Sequence, residues 1–457
     1  MISNGNEIGK LTLLSIVWLT IVFVAVWMVT WAVGILLPMI LSNSLGEKAL
    51  LINEILCFLT PVLSILVFIP INAMFMVLIE RRALALFTVR KGPNIVGPDG
   101  YLQTAADAVK LLFKEDITPT GADAFMFTLA PIVFFAPSIF GAVPLLAAVT
   151  NNHGLFQVLN LPTGIFYVLA AASVPVVALV MAGWSSNNKY SLVGGLRSAA
   201  QAISYEIPLV LFIITICVLA GTLDLVKITQ QQAGGILNWN ILGGGALSGI
   251  DKFLAGTVTG QPVGNILSTC YPFSGLSYLA VGALIISTII AFWLYLTGAC
   301  AEINRIPFDL PEAESELVSG YNTEYSGIKF AIFFLAEFTN LFVVSSIATV
   351  MFLGGGDNPI PVWILDSIAP LKQAIALLND SFLVQTLHLV NPETLFSTLW
   401  VILKVYSLVF FAILIRGTLP RFRIDQLMDF GWKRLIPLSL IVFIVVVFAR
   451  GLVICHG

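Results

Sequence analysis

The chain has 457 residues, of which 58% are hydrophobic and only 10% are charged, with a formal net charge of -3. Soluble domains carry about a quarter charged residues, so this composition excludes a soluble fold and predicts a membrane protein. Because so small a net charge cannot recruit nucleic acid, no nucleic-acid partner is expected.

Nine apolar runs are long enough to cross a bilayer, since a spanning helix needs about 20 mainly apolar residues. The first is too long for the apolar core of a signal peptide, so we interpret it as a retained helix. The nine runs predict an all-α fold, a polytopic bundle of about nine transmembrane helices. They cover residues 11–41, 55–80, 125–148, 162–183, 203–221, 276–300, 329–353, 396–416 and 435–455.

Lysine and arginine are distributed unevenly between the two sides that alternating spans create. One side receives sixteen of the 22 basic residues, the other receives five, and Lys404 lies inside a helix. Cytoplasmic connections are rich in Lys and Arg, so this asymmetry predicts a cytoplasmic N-terminus and an outside C-terminus. The two long outside connections, near 222–275 and 354–395, are interpreted as lids or spacers.

Cysteine and histidine do not form a metal-binding pattern. The five cysteines and three histidines are scattered along the chain, and no pair has the spacing of a zinc or iron–sulfur site. We therefore expect no metal in this chain.

The charged residues gather in four predicted cytoplasmic segments, where charge beside a membrane domain marks candidate functional sites. The first begins with Glu80, Arg81 and Arg82 and continues through the basic, turn-rich stretch from Arg90 to Gly100. It lacks the Lys-Ser/Thr pair of a phosphate-binding P-loop. Composition alone leaves binding of lipid headgroups as the alternative to a specific role.

The second segment runs from Gly183 to Tyr190 and then through Arg197 to Glu206. Glu206 lies near the start of an apolar run, so it is either an interfacial cap residue or a buried proton carrier. Arg197 lies nine residues earlier and is close enough along the chain to be a candidate ion-pair partner.

The third segment places six carboxylates between residues 302 and 324 beside one arginine, Arg305. Crowded carboxylates share protons, which suits a proton relay or the binding of a cationic partner surface. A solvated acidic loop is the alternative, although Glu337 in the next helix extends the acidity toward the bilayer. The six are Glu302, Asp309, Glu312, Glu314, Glu316 and Glu324.

The fourth segment contains Arg416, Arg421 and Arg423, which anchoring on the cytoplasmic side explains. Lys404 differs because it lies midway along its helix, where an unpaired cation costs a few kcal/mol. We expect Glu206 or Glu337 to be its acidic partner.

In this order, the four segments resemble the quinone-chamber subunit of bacterial NADH:quinone oxidoreductase (respiratory complex I), equivalent to mitochondrial NADH dehydrogenase subunit 1. The resemblance covers residues from about 55 to 455, and the joint occurrence of the motifs makes it specific. The motifs are Glu80-Arg81-Arg82, Arg90-Lys91-Gly92-Pro93-Asn94, Gly183 to Tyr190, Ser204-Tyr205-Glu206, Arg305 to Asp309, Glu312 to Leu317 and Arg416 to Arg421.

The resemblance implies a core of eight helices, so residues 1–50 would add an N-terminal transmembrane helix to a quinone-chamber core at 51–457. It implies a subunit of a proton-translocating NADH:quinone oxidoreductase that has no redox centre or cofactor of its own and takes quinone as substrate. Flavin and iron–sulfur clusters would lie on partner subunits. Expected partners are the quinone-site and terminal iron–sulfur peripheral subunits, small membrane subunits and lipid. The expected location is the bacterial cell inner membrane, with the mitochondrial inner membrane as the alternative.

The resemblance also implies site residues, in two groups. Residues expected in the quinone chamber and in a polar path toward the pumping subunits are Glu80, Arg81, Arg82, Arg197, Glu206, Glu302, Arg305, Asp309, Glu312, Glu314, Glu316, Glu337, Lys404 and Arg416. Residues expected to dock the peripheral arm are Arg90, Lys91, Arg421 and Arg423.

Two other functions are compatible with the sequence. The first is the membrane anchor of a related energy-converting hydrogenase, whose partner would hold a nickel–iron centre. The second is an independent ion transporter, which would work without partners.

Overall fold

The computed structural model of the chain describes residues 47–97, 100–150, 161–244, 275–309, 318–359 and 392–456. Within these ranges the chain is helical and contains no β-strand, which confirms the predicted polytopic helical fold. The predicted helix at 11–41, much of both long outside connections, and the stretch with Glu312, Glu314 and Glu316 lie outside the described residues.

The helices are numbered in chain order. They are α1 (Glu47–Phe87), α2 (Gln103–Phe113), α3 (Ala124–Thr150), α4 (Gly164–Ser185), α5 (Lys189–Ala220), α6 (Leu225–Gln231), α7 (Gly275–Glu302), α8 (Gly327–Phe352), α9 (Pro392–Thr418), α10 (Ile424–Phe430) and α11 (Ile436–His456). A π-helical turn at Gly431–Leu435 joins α10 to α11, and short 3-10 turns occur at Ile236–Asn238, Asn240–Leu242 and Gly320–Asn322.

Seven candidate membrane spans within the described residues correspond to seven of the nine predicted runs, and α1 contains the run at 55–80. Two boundaries differ from the prediction. Helix α5 begins at Lys189 rather than near 203, and the last span begins at Ile424 rather than near 435. The early start of α5 was missed because its first turns are rich in Gly and Ser, and they pack against the turn at Gly320–Asn322 rather than lipid.

The ends of α5 carry the local signals that begin and stop a helix. The Asn188 side chain accepts a hydrogen bond from the Tyr190 N–H at 3.0 Å, which satisfies one of the unpaired donors of the first turn. At the other end Gly221 adopts φ 74°, the left-handed conformation that favours glycine after a helix.

Helices α4 and α5 approach closely at glycine. A Cβ atom on Gly195 would lie 2.8 Å from the carbonyl oxygen of Leu179, and one on Gly183 would lie 2.8 Å from that of Ser191. Small residues allow the backbones of membrane helices to come this close. The contact therefore depends on the absence of side chains at these two positions.

Helices α5 and α8 are the most enclosed spans. In each, 56% of the most apolar stretch is buried, against 28–39% in the other candidate spans. The main core packs Phe212 of α5 and Phe338 of α8 with Tyr295 of α7. Glu206 and Glu337 therefore lie on the two helices that are least available to lipid.

We expect Gly195→Ala to destabilise the protein by about 1–3 kcal/mol, because the added methyl group would collide with the backbone of α4. Thermal unfolding of the purified assembly would measure the change. Gly282→Ala is the matched control, since a Cβ atom at Gly282 meets no atom within 4 Å. Equal unfolding temperatures for the two variants would contradict the proposed close contact.

Candidate functional site

Side-chain contacts join the four charge-rich segments at one end of the bundle, called here the charged end. The Asn188 side chain donates to Glu324 at 2.7 Å, joining the second segment to the third. Arg421 of the fourth segment donates to Asp309 of the third at 3.0 Å. The sites predicted from distant parts of the sequence therefore form one region.

Glu80 is the centre of an ion-pair cluster. Its carboxylate, on α1, accepts hydrogen bonds from Nη1 of Arg305 at 3.0 and 3.1 Å, and it also pairs with Arg416 of α9. Glu80 is 5% exposed and Arg305 8%, so water screens this interaction little. The Arg305 guanidinium also lies 4.2 Å from the ring centroid of Phe338, on α8.

Arg305 retains hydrogen-bonding capacity. Its Nε and Nη2 atoms have no acceptor among the described residues. The segment that follows Asp309, with its three glutamates, lies outside the described residues, so the positions expected for Glu312, Glu314 and Glu316 stay a prediction.

The short stretch 301–309, which includes the last two residues of α7 and the segment after it, is fixed against its neighbours. The Gln201 side chain donates from Nε2 to the carbonyl oxygens of Ala301 and Phe308, both at 2.7 Å. The Phe308 ring contacts the rings of Tyr205, Phe422 and Phe430, with centroids 5.6–6.4 Å apart. These contacts place Glu302 and Arg305 in fixed positions at the inner edge of the charged end.

A cavity of about 60 Å³ lies between α3, α4, α5, α7 and α8, and three predicted acids line it. They are Glu206 of α5, Glu302 of α7 and Glu337 of α8, with the polar side chains of Ser138, Asn304 and Asn340 beside them. This volume accommodates a few water molecules. None of the described lining residues is a cation, so ionisation of one of the three carboxyl groups disfavours ionisation of the other two. Carboxyl groups coupled in this way are suited to exchanging protons.

Tyr321 is a site residue that the sequence did not identify. Its hydroxyl donates to Oε1 of Glu337 at 2.7 Å, and its carbonyl oxygen accepts from the Ser191 hydroxyl at 3.2 Å. The tyrosine thus connects the 318–326 segment to the acid-lined cavity. No sequence signal pairs a loop tyrosine with a particular acid sixteen residues later in a helix.

The predicted pairing of Arg197 with Glu206 is wrong. Both residues lie on the continuous helix α5, nine residues apart. That separation is about 13 Å along the helix axis and about half a turn in direction, so the two side chains lie on opposite faces. The sequence allows this pairing only if α5 begins after Arg197, as the apolar run at 203–221 predicts.

The predicted partners of Lys404 are also wrong. Its Nζ atom donates to the carbonyl oxygens of Leu353, Gly355 and Asp357 at 2.7–2.9 Å, and lies 4.2 Å from the ring centroid of Trp239. These carbonyls lie just after α8, at the side opposite the charged end. Glu337 is sixteen residues before Leu353, about 24 Å along the helix.

Lys404 therefore binds the carbonyl of the C-cap residue of α8, Leu353, and two carbonyls of the turn that follows, where a cation also interacts favourably with the helix dipole. Among the described residues, the acid whose charge acts on Lys404 is Asp357, whose side chain accepts from the N–H groups of Gly234 and Gly235 at 3.0 and 3.2 Å. Burial raises the pKa of Asp357, whereas these two hydrogen bonds and the charge of Lys404 act in the opposite direction.

The basic residues of the first segment surround a separate cleft. Arg81, Arg90 and Lys91 line this opening of about 450 Å³, and Arg81 pairs with Asp107 at 2.5 Å. Arg82 points elsewhere, with its guanidinium 4.2 Å from the ring centroid of Tyr101. Arg423 is exposed at the start of α10.

Within the described ranges, no group of His, Cys, Asp or Glu side chains has an arrangement that could hold a metal ion. The chain is a polytopic helical membrane protein with paired charges at one end and an acid-lined cavity among its spans.

The sequence matches the NADH dehydrogenase family over residues 60–447, which is most of the chain. The chain therefore belongs to this family, whose members include mitochondrial NADH dehydrogenase subunit 1 and its equivalent in bacterial NADH:quinone oxidoreductase. It is a membrane subunit of complex I.

We expect Glu80→Gln to destabilise the protein by about 3–5 kcal/mol, because Arg305 would keep its buried charge without a carboxylate. The control is Asp429→Asn, which breaks the exposed pair with Lys433 and should cost at most about 1 kcal/mol. Thermal unfolding of the assembled complex would compare them. Equal losses would show that the Glu80 cluster does not stabilise the charged end.

For Lys404→Met we expect a loss of about 1–3 kcal/mol, since the carbonyl groups of Leu353, Gly355 and Asp357, just after α8, would lose their donor. Amide hydrogen exchange should accelerate at residues 350–357. Lys227→Met is the control, because Lys227 is exposed and lies 3.6 Å from Asp224. Unchanged exchange in the Lys404 variant would contradict the capping role.

Proposed function

We propose that this protein forms the membrane part of the quinone chamber and couples quinone reduction to proton pumping through Glu302, Glu206 and Glu337. The observation that carries the proposal is the position of segment 302–309. Glu302 and Asn304 line the acidic cavity, while Arg305 and Asp309 belong to the ion pairs of the charged end. One short stretch of chain thus contacts both regions.

The chemistry of quinone reduction makes such a connection useful. Reduction to quinol takes up electrons and protons, so it changes the charge next to the residues that supply the protons. Arg305 and Asp309 are buried, where electrostatic interactions are stronger than in water. A charge change near them would therefore change the strengths of the ion pairs in the Glu80 cluster.

A second connection leaves the charged end through Tyr321. Its segment follows the acidic stretch with Glu312, Glu314 and Glu316, and its hydroxyl binds Glu337. We propose that protonation of the acidic stretch shifts both flanking segments, 302–309 and 318–326. Both segments would then act on the cavity acids at the same time, one through Glu302 and the other through Glu337.

The cavity supplies the start of a proton path. Its volume allows a few waters, and carboxyl groups bridged by water exchange protons readily. We propose that loss of a proton from one of the three acids favours protonation of a neighbour. The path would lead away from the chamber toward the pumping subunits.

The other predicted site residues are assigned roles according to their positions in the structure. We propose that Arg81, Arg82 and Arg416 flank the chamber with the Glu80 cluster, and that Arg90, Lys91, Arg421 and Arg423 dock the peripheral arm. Arg197 and Lys404 lie away from the acid cavity, and for them we propose supporting roles. Flavin and iron–sulfur clusters would be held by partner subunits, and the N-terminus would lie in the cytoplasm of a bacterium.

We expect Glu206→Gln and Glu302→Gln each to lower quinone-coupled proton pumping by on the order of tenfold or more. The reason is that an amide does not take up and release a proton as a carboxyl group does. Pumping per electron would be measured in vesicles containing the assembled complex. NADH oxidation by an artificial acceptor, which bypasses the quinone site, should stay normal and would verify assembly.

Glu115→Gln is the control for both variants, since Glu115 is exposed and does not line the cavity. Normal pumping in the Glu206→Gln complex would show that the relay is wrong. Normal quinone reduction together with normal pumping in both variants would leave the cavity acids with a structural role and refute the proposed coupling.

A further inference from the structure

Helix α2 is a short helix fixed to the boundaries of two spanning helices. Near its middle, Asp107 pairs with Arg81, which directly follows the apolar run of α1 that ends near residue 80. Just beyond its C-terminus, Asp116 pairs with Lys329 of the first turn of α8, at 3.0 Å. Both anchors lie where an apolar run meets a polar connection, so α2 lies at the level of the membrane surface.

The outward face of α2 is apolar and exposed. Val109 is 50% exposed, Leu112 61% and Phe113 88%. With Ala105 they fall within an arc of about 100° around the helix axis. The opposite side carries the buried Thr104 and the paired Asp107. A continuous apolar stripe of this kind marks an interaction surface, whereas a single exposed leucine does not.

Two lysines border this stripe. Lys110 lies beside it on the helix, and Lys114 follows at the C-terminal cap. Both side chains are exposed, and neither forms an ion pair with an acid in the part of the chain that the structure describes. An exposed apolar face with lysines at its edge is the pattern of helices that lie in the membrane interface.

We propose that α2 lies on the bilayer surface, with Val109, Leu112 and Phe113 inserted between acyl chains and with Lys110 and Lys114 binding anionic phospholipid headgroups. The level of α2 puts the stripe beside the bilayer, and the charge of the two lysines complements anionic lipid. This surface is separate from the acid-lined cavity, and its role does not depend on the proposed coupling.

The insertion is tested with the assembled complex in vesicles of phosphatidylcholine and phosphatidylglycerol. A nitroxide attached at Phe113→Cys should collide more often with oxygen, which concentrates in lipid, than with a water-soluble nickel complex. A label at Glu115→Cys should show the reverse. Activity with an artificial electron acceptor confirms that both labelled complexes assemble.

The lipid preference is tested with charge-removing variants and spin-labelled phosphatidylglycerol. Lys110→Gln and Lys114→Gln should each weaken the association of anionic lipid roughly fivefold. Lys433→Gln is the matched control, since Lys433 is an exposed lysine of the same end that pairs with Asp429. Association of the labelled phosphatidylglycerol should persist in that variant, and spin-labelled phosphatidylcholine should show no dependence on Lys110 or Lys114.

Two results would overturn the proposal. If the label at residue 113 is immobile and protected from both oxygen and nickel, a partner subunit covers the stripe. If the label is open to the nickel complex, α2 stands in water. The same label at Val109→Cys repeats the measurement one turn earlier, so a local distortion at residue 113 cannot decide the outcome.

Discussion

The buried carboxylate of Glu80 is the interaction on which the charged end depends. An uncompensated charge in a membrane domain is costly, and Glu80 pairs with guanidinium groups from two segments that are more than 100 residues apart. This pairing holds the segment after α7 against α1 and α9. Because Asn304 belongs to that segment and Glu302 directly precedes it, the same ion pairs help to position both groups in the acid-lined cavity.

Helix α8 is held at both ends by polar contacts of different kinds. At the charged end Lys329 pairs with Asp116, and the Tyr321 hydroxyl binds Glu337. At the other end Lys404 binds the C-cap carbonyl of Leu353, and Gln232 donates to the carbonyl of Val350 at 2.9 Å. A helix fixed in this way keeps Glu337 at one height in the bundle. The proposed coupling therefore assigns conformational change to the loops rather than to α8.

The acid-lined cavity lies beside α5 and α8, which are the most enclosed of the candidate spans in the described residues, and it contains space for only a few waters. Acids placed this way respond to each other's charge, since little water separates or screens them. Membership of the NADH dehydrogenase family places this arrangement in a membrane subunit of a multisubunit complex.

The sequence by itself determined the spans, the uneven charge and the family motifs, because a bilayer requires long apolar runs and those runs are local in the chain. It also identified the acids that line the cavity. Only the tertiary structure decided which charged side chains pair with one another. Helical geometry separates Arg197 from Glu206, and packing brings Lys404 to the end of α8 rather than to an acid. Contacts such as Glu80 with Arg305 join residues 225 positions apart, and no local pattern encodes which distant side chains meet.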